Sequence, residues 1–299
     1  MIVTRVELPA GADLTLRVEP ASKPPPPAGS PDGFTNAFYR SAWDDRRGLF
    51  SLVDVTTGKE LLGGALGGLG SPVYQVFPNG NRGAAAGFGY TARTIPKDEV
   101  TVGRCTGVKR VAAGEVFERW ELTYDLPGTR SYVLGATFYR DLPQIELSAR
   151  VAKTDVTDPE GLYVLFPLQV EGGVWHFDNP GAPIRPGLDQ LPGSCCDNYC
   201  LQAGGALVGR GGGLAWTTLD APLVHLGRLR LWNYSTTIEP SGPIYSWLTN
   251  NKWETNFRIT FGGNFEFRYL LRFSPGFADA TEALAACRAQ AMPPVVVRH

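Results

Sequence analysis

A chain of 299 residues with 43% hydrophobic and 19% charged content carries enough apolar side chain for a large core, and its formal charge of −1, with acids and bases mixed, leaves no footprint for nucleic acid or an anionic membrane. No apolar run approaches the ~18 residues of a membrane helix, and the opening MIVTRVELPAG lacks a basic start followed by an apolar core, so no membrane contact is expected and a cytoplasmic protein is. The 36 glycines and 24 prolines make up about a fifth of the chain against an average of roughly an eighth, so the chain turns often and an all-β class is expected.

Residues 1–20 read as two short strands around a Pro-Ala-Gly-Ala-Asp turn, which the family resemblance described below implies to be the remnant of a small β domain. Residues 21–32 hold five prolines and little bulk, and read as an extended linker. From Gly33 the pattern becomes dense, and NAFYRSAWDDRRGLFSLVDVTTGKELL alternates apolar runs with turn signals as a meander does. Residues 65–90 are glycine-rich and read as loop; their glycines fit neither GxGxxG nor a Walker spacing, so no phosphate cradle is expected. Between 100 and 152 apolar residues alternate cleanly: Val116, Trp120, Leu122, Tyr124, then Tyr132, Leu134, Ala136, Phe138, then Ile145, Leu147, Ala149, Val151. These are antiparallel neighbours with one buried face. LYVLFPLQV (162–170) is continuously apolar and reads as a central strand between two sheets, residues 172–200 as a long loop of the functional kind, and LAWTTLDAPLVHLG as a return to strand.

The best-patterned stretch is SWLTNNKWETNFRITFGGNFEFRYLLR (246–272). Phe265, Phe267, Tyr269, Leu271 and Phe273 fall on one face, and Phe257, Ile259 and Phe261 alternate before Gly262-Gly263-Asn264. A three-residue loop opposes Phe261 to Phe265 and Ile259 to Phe267, so a hairpin is expected, with Arg258 across from Arg268 on a polar face that is either solvated or built to meet an anion, a ligand or another domain. Asp279, three residues before Glu282, opens a capping box for a short helix over TEALAACRAQA, which Met292-Pro293-Pro294 ends.

Cys195, Cys196 and Cys200 lack the paired knuckles or nearby histidines of a zinc site and read as buried or loop thiols; with Cys105 and Cys287 they are also too few for a disulfide scaffold. His176 and His225 have the residue type a sugar epimerase uses as an acid, which would need them beside a carboxylate. Asp178, Asp189, Asp197, Asp220 and Glu254 sit in or beside loops and suit polar recognition. Trp247, Trp253, Asn250 and Asn251 pair aromatic faces with amides, an arrangement that serves either sugar binding or a buried aromatic cluster.

The run NAFYRSAWDDRRGLFSLVDVTTGKELL resembles the entry to the β-sandwich of glycoside hydrolase family 38 α-mannosidases, and RPGLDQLPGSCCDNY, LAWTTLDAPLVHLG and WLTNNKWETNFRITFGGNFEFRY follow in that family's order. The resemblance spans Phe34 to Phe273 and implies a galactose-mutarotase-like β-supersandwich of large antiparallel sheets over 33–273, with a short helix and tail in 274–299. No counterpart of the family's catalytic domain, with its zinc and aspartate nucleophile, is seen, and both ends read as cut from a larger design. What the resemblance implies is a non-catalytic, carbohydrate-binding part of an α-mannosidase-like hydrolase. It would work with a catalytic domain or subunit supplied in trans and hold no cofactor itself, zinc belonging to the absent domain. The substrate-binding candidates are Asp189, Asp197, Trp247, Asn250, Asn251, Trp253, Glu254 and Arg258, none of them a nucleophile or a metal ligand. The alternatives are a stand-alone aldose epimerase or mutarotase-like enzyme and a free carbohydrate-binding module.

Overall fold

The computed structural model describes residues 30–63, 66–78, 97–229, 235–251, 258–274, 277 and 279–292. The hairpin expected at 1–20, most of the linker and the segment 295–299 lie outside the described residues, as do Trp253 and Glu254. In chain order the strands are β1 (Gly33–Thr35), β2 (Tyr39–Asp44), β3 (Gly48–Asp54), β4 (Pro72–Val76), β5 (Glu99–Val102), β6 (Arg104–Ala113), β7 (Phe117–Asp125), β8 (Thr129–Tyr139) and β9 (Gln144–Lys153). They continue as β10 (Glu160–Phe166), β11 (Val174–Phe177), β12 (Tyr199–Cys200), β13 (Gly204–Gly209), β14 (Gly212–Thr218), β15 (Leu223–Leu226), β16 (Ile244–Asn250) and β17 (Gly263–Ser274), before the helix α1 (Ala280–Ala291). The class is therefore all-β with one short C-terminal helix. Its strands build a three-stranded sheet β1-β2-β3, a six-stranded sheet β12-β15-β16-β10-β4-β5 and an eight-stranded sheet β11-β13-β14-β17-β9-β8-β7-β6. Among the described residues no helix is long and apolar enough to cross a membrane.

The three cleanly alternating runs form the meander β7-β8-β9, with Leu122, Leu134, Ala149 and their same-face neighbours buried. β17 extends this meander, and here the expected hairpin is corrected. A strand has two edges, and those of β17 are taken by β9 and β14, so that Phe265 opposes Val151, Phe267 opposes Ala149 and Arg268 opposes Ser148. The ten-residue β9 gives β17 a longer apolar ladder than the short run before the glycines does. Residues 258–262 carry no strand; Phe261 still stacks on Phe265 at 5.2 Å, but Arg258 is exposed and is not the cross-strand partner of Arg268, which pairs with Asp220 instead.

β10 is buried along its whole length, as its unbroken apolar sequence requires of a strand covered on both faces. Leu162, Val164 and Phe166 point into the main core, where Phe166 meets Tyr269 at 4.8 Å and Trp216 at 5.0 Å across the two sheets. Tyr163 and Leu165 point the other way. Beside β10 runs β4, also fully buried, in the region read from its glycines as loop; the apolar run PVYQV outweighs the flanking turn residues. The chain passes from the eight-stranded to the six-stranded sheet between β14 and β15, inside the run that reads as strand. At one end Trp43 of the three-stranded sheet packs on Trp120 at 4.7 Å.

Asp279 caps α1 as expected, its side chain accepting hydrogen bonds from the N–H groups of Thr281 (2.7 Å) and Glu282 (3.2 Å). The helix lays Ala283, Leu284, Ala286 and Cys287 on Ala206 and Ala215 of β13 and β14. Arg288 clamps it there through the buried Asp178, at 2.6 Å.

Candidate ligand site on the six-stranded sheet

Side chains alternate along a strand, so the residues of the six-stranded sheet that point away from the main core form a face of their own. Val73 and Gln75 on β4, Tyr163 and Leu165 on β10, His225 on β15, and Tyr245 and Trp247 on β16 share it, with Phe77 just beyond β4. Their rings interlock: Tyr163 stacks on Trp247 at 5.6 Å, His225 lies 5.1 Å from Trp247 and 5.7 Å from Tyr163, and Tyr245 meets Tyr163 edge-on at 6.4 Å. Polar atoms fix the arrangement. The Tyr163 hydroxyl donates to Gln75 Oε1 (3.1 Å), whose Nε2 donates to Asp98 (3.1 Å). His225 Nδ1 lies 2.7 Å from the carbonyl oxygen of Asp197; a carbonyl only accepts, so Nδ1 carries the proton.

Tyr245 links this floor to a surface cavity of about 810 Å³, edged by Asp98, Arg228, Thr237 and Glu239, with Ile238 beside them. Carboxylates, a guanidinium and a hydroxyl supply donors and acceptors, while the ring of Tyr245 and Ile238 offer apolar surface. Burial pushes the Tyr245 phenol up to about 12, so at neutral pH it is protonated and can donate. Such a lining suits a small polyhydroxylated ligand.

Of the sequence-derived candidates the structure brings together Asp197 and Trp247, through His225. Trp247 is in the buried cluster, its Nε1 donating to the carbonyl of Thr249 at 3.1 Å. The Asp197 carboxylate accepts from the backbone N–H of Ser235 at 3.1 Å, so its role is to hold that loop against β15. Asp189 lies apart and exposed, gripped by the side chain and the N–H of Arg185, which hold its carboxyl at about 2. Asn250 ends β16 opposite Gly161. Asn251 is a clamp: its Oδ1 accepts from the N–H of Glu160 and its Nδ2 donates to the carbonyls of Val156, Asp158 and Ile259. His176 and His225 stand on different sheets, with His176 Nδ1 near the carbonyl of Val174 at 3.1 Å and its pKa lowered by burial. Sequence reasoning missed Asp98, Arg228, Thr237, Glu239 and Tyr245; the available signal was the i, i+2 spacing of Tyr245 and Trp247 in IYSWL.

No family model matches the chain, and no curated protein matches it. Solved structures do. The fold is similar to that of an α-mannosidase from Enterococcus faecalis V583, with a TM-score of 0.58 and 13% identity over 86% of this chain and 31% of that one. It is equally similar to a protein in glycosyl hydrolase family 38 from Enterococcus faecalis, with a TM-score of 0.58 and 12% identity over 86% of this chain and 32% of the other. A putative aldose 1-epimerase from Escherichia coli K12 gives a TM-score of 0.46 and 12% identity over 81% and 98% of the two chains. The chain thus spans under a third of the length of the two Enterococcus proteins, and at these identities the likeness is one of fold.

Proposed function

We propose that this chain is a carbohydrate-binding β-supersandwich of an α-mannosidase-like glycoside hydrolase, which supports hydrolysis of α-mannosides with a catalytic domain supplied separately. The observation that carries the reading is the cavity of about 810 Å³ on the six-stranded sheet, with Tyr245 as its aromatic wall and Asp98, Arg228, Thr237 and Glu239 at its edge. Similarity of fold to 31% of an α-mannosidase supports the choice of sugar. Asp98, Glu239 and Arg228 would take sugar hydroxyls, while Tyr245 and Ile238 cover the C–H face of the ring. The zinc that the resemblance implies belongs to that separate catalytic domain; among the described residues of this chain no group of three or more His, Cys, Asp or Glu is placed to hold a metal.

Two measurements test the proposal. Calorimetry with methyl α-mannopyranoside should show binding that Arg228→Ala weakens at least tenfold. An aryl α-mannoside should be hydrolysed only when a separately expressed catalytic domain is added. Hydrolysis by the chain alone with zinc, or binding indifferent to Arg228→Ala, would contradict it.

A further inference from the structure

Glycine inside a strand costs stability, since it packs nothing and loses the most backbone freedom on folding. Among the described residues, most strand glycines have a local reason. A Cβ at Gly33, Gly161, Gly204, Gly205, Gly209 or Gly213 would come within 2.0–2.9 Å of a neighbouring atom. Gly48, Gly212 and Gly263 have positive φ, and Gly107 lies at a bulge in the β6–β7 ladder. Gly135, in the middle of β8, has no such reason: a Cβ there would meet only Ser148, at 3.7 and 3.8 Å, which is ordinary contact. A side chain fits at this position and is absent.

What its absence opens is a trough on the outer face of the eight-stranded sheet, with a volume of about 350 Å³. Opposed residues share a face, so Glu121, Gly135, Ser148 and Arg268 form one row across β7, β8, β9 and β17. Arg119, Thr137, Glu146 and Leu270 form the next, and Arg150 and Glu266 lie beyond Gly135 on the other side. Gln290 of α1 and Leu219 also line the trough.

The lining is held in place by its own contacts. Arg150 pairs with Glu121, Ser148 donates to Glu266, and Arg268 grips Asp220 through two bonds of 2.9 Å. Tyr139 donates to Glu146 at 2.6 Å, and Arg119 to Thr137 at 3.0 Å. Each guanidinium has five N–H donors and each carboxylate about four acceptor sites, so these bonds leave both kinds of group with capacity to spare. Three arginines and three glutamates line the trough, and Asp220 holds one of the arginines, so no excess of positive charge favours an anion. They suit a neutral ligand whose every hydroxyl both donates and accepts. Over Gly135 such a ring can reach the sheet backbone, and Leu219 and Leu270 give it apolar surface.

We propose that this trough is a second sugar site, taking a neutral pyranose seated over Gly135. It is separate from the cavity on the six-stranded sheet. The test is binding of the full chain and its variants to a printed array of neutral mono- and disaccharides, with calorimetry on the strongest ligand. Gly135→Val places a branched side chain in the trough at a position where the strand accepts one. It should melt higher than the wild type while losing at least tenfold in affinity for one or more neutral sugars other than mannosides, and Arg228→Ala, which touches only the other cavity, should keep those signals. Ser148→Leu fills the same row from β9 and should give the same loss if Gly135→Val folds poorly. An array on which both filled variants match the wild type, on which the wild type retains no neutral sugar, or on which only acidic sugars respond, would overturn the proposal.

Discussion

Lys153 closes the inward-facing series Ile145, Leu147, Ala149, Val151 on β9, so strand alternation alone places a lysine on the core face, and its side chain is indeed fully buried. What alternation does not reveal is how the charge is tolerated. Its ammonium bonds Glu160 of β10 and the carbonyl of Thr154, while the Tyr74 hydroxyl donates to the same carboxylate. Burial raises the Glu160 pKa above 4.5, against the lowering effect of Lys153 and Tyr74. Lys153→Met removes the first of these opposing effects and should cost about 3–5 kcal/mol at neutral pH, as breaking a buried pair does. A carboxyl whose native pKa is raised favours the native state below its unfolded value of 4.5, and that contribution is lost as pH rises through the native value. The variant should therefore lose more stability relative to wild type at pH 7 than at pH 4. Urea titrations at the two pH values decide it, and an equal loss at both would mean that Glu160 is not the responsible group.

Elements differ in how plainly the sequence marks them, for physical reasons. The meander β7-β8-β9 and α1 were legible because each advertises itself within one stretch, by period-2 alternation or by a capping residue. β4 was not, since a strand buried on both faces has no polar alternation to set it apart from its glycine-rich surroundings. β17 was legible as a strand but not in its pairing: local sequence favours the neighbour joined by a short turn, whereas both its edges are taken by β9 and β14, distant in sequence. The candidate site suffers in the same way, because Asp98, Arg228 and Glu239 come from separate segments that only the sheet order brings to one cavity. At this scale the helix offers a clean test. Asp279 binds two otherwise unpaired N–H groups, so Asp279→Ala should cost about 1 kcal/mol while leaving the sheets intact. Thermal melts should show the drop with an unchanged β signal in circular dichroism.

At the scale of the molecule, the two large sheets bury one face of each in a shared core, and few side chains join them as directly as Phe166. From β10 in the six-stranded sheet its ring meets Trp216 of β14 and Tyr269 of β17 in the eight-stranded sheet, and the Tyr269 hydroxyl donates back to Ser246 of β16 at 2.9 Å. Neither sheet can lose this contact without exposing apolar surface of the other, so the sheets should unfold as one unit. Phe166→Ala leaves a cavity in that interface and should cost about 3–5 kcal/mol. The informative reading is the shape of the transition. If the sheets are one cooperative unit, the variant's midpoint falls but far-ultraviolet signal and tryptophan fluorescence still change together, as in the wild type. If one sheet persists after the other has melted, the two probes separate in the variant, and the sandwich is then two marginally coupled layers in which a ligand on the six-stranded sheet would not stabilise the trough on the eight-stranded one.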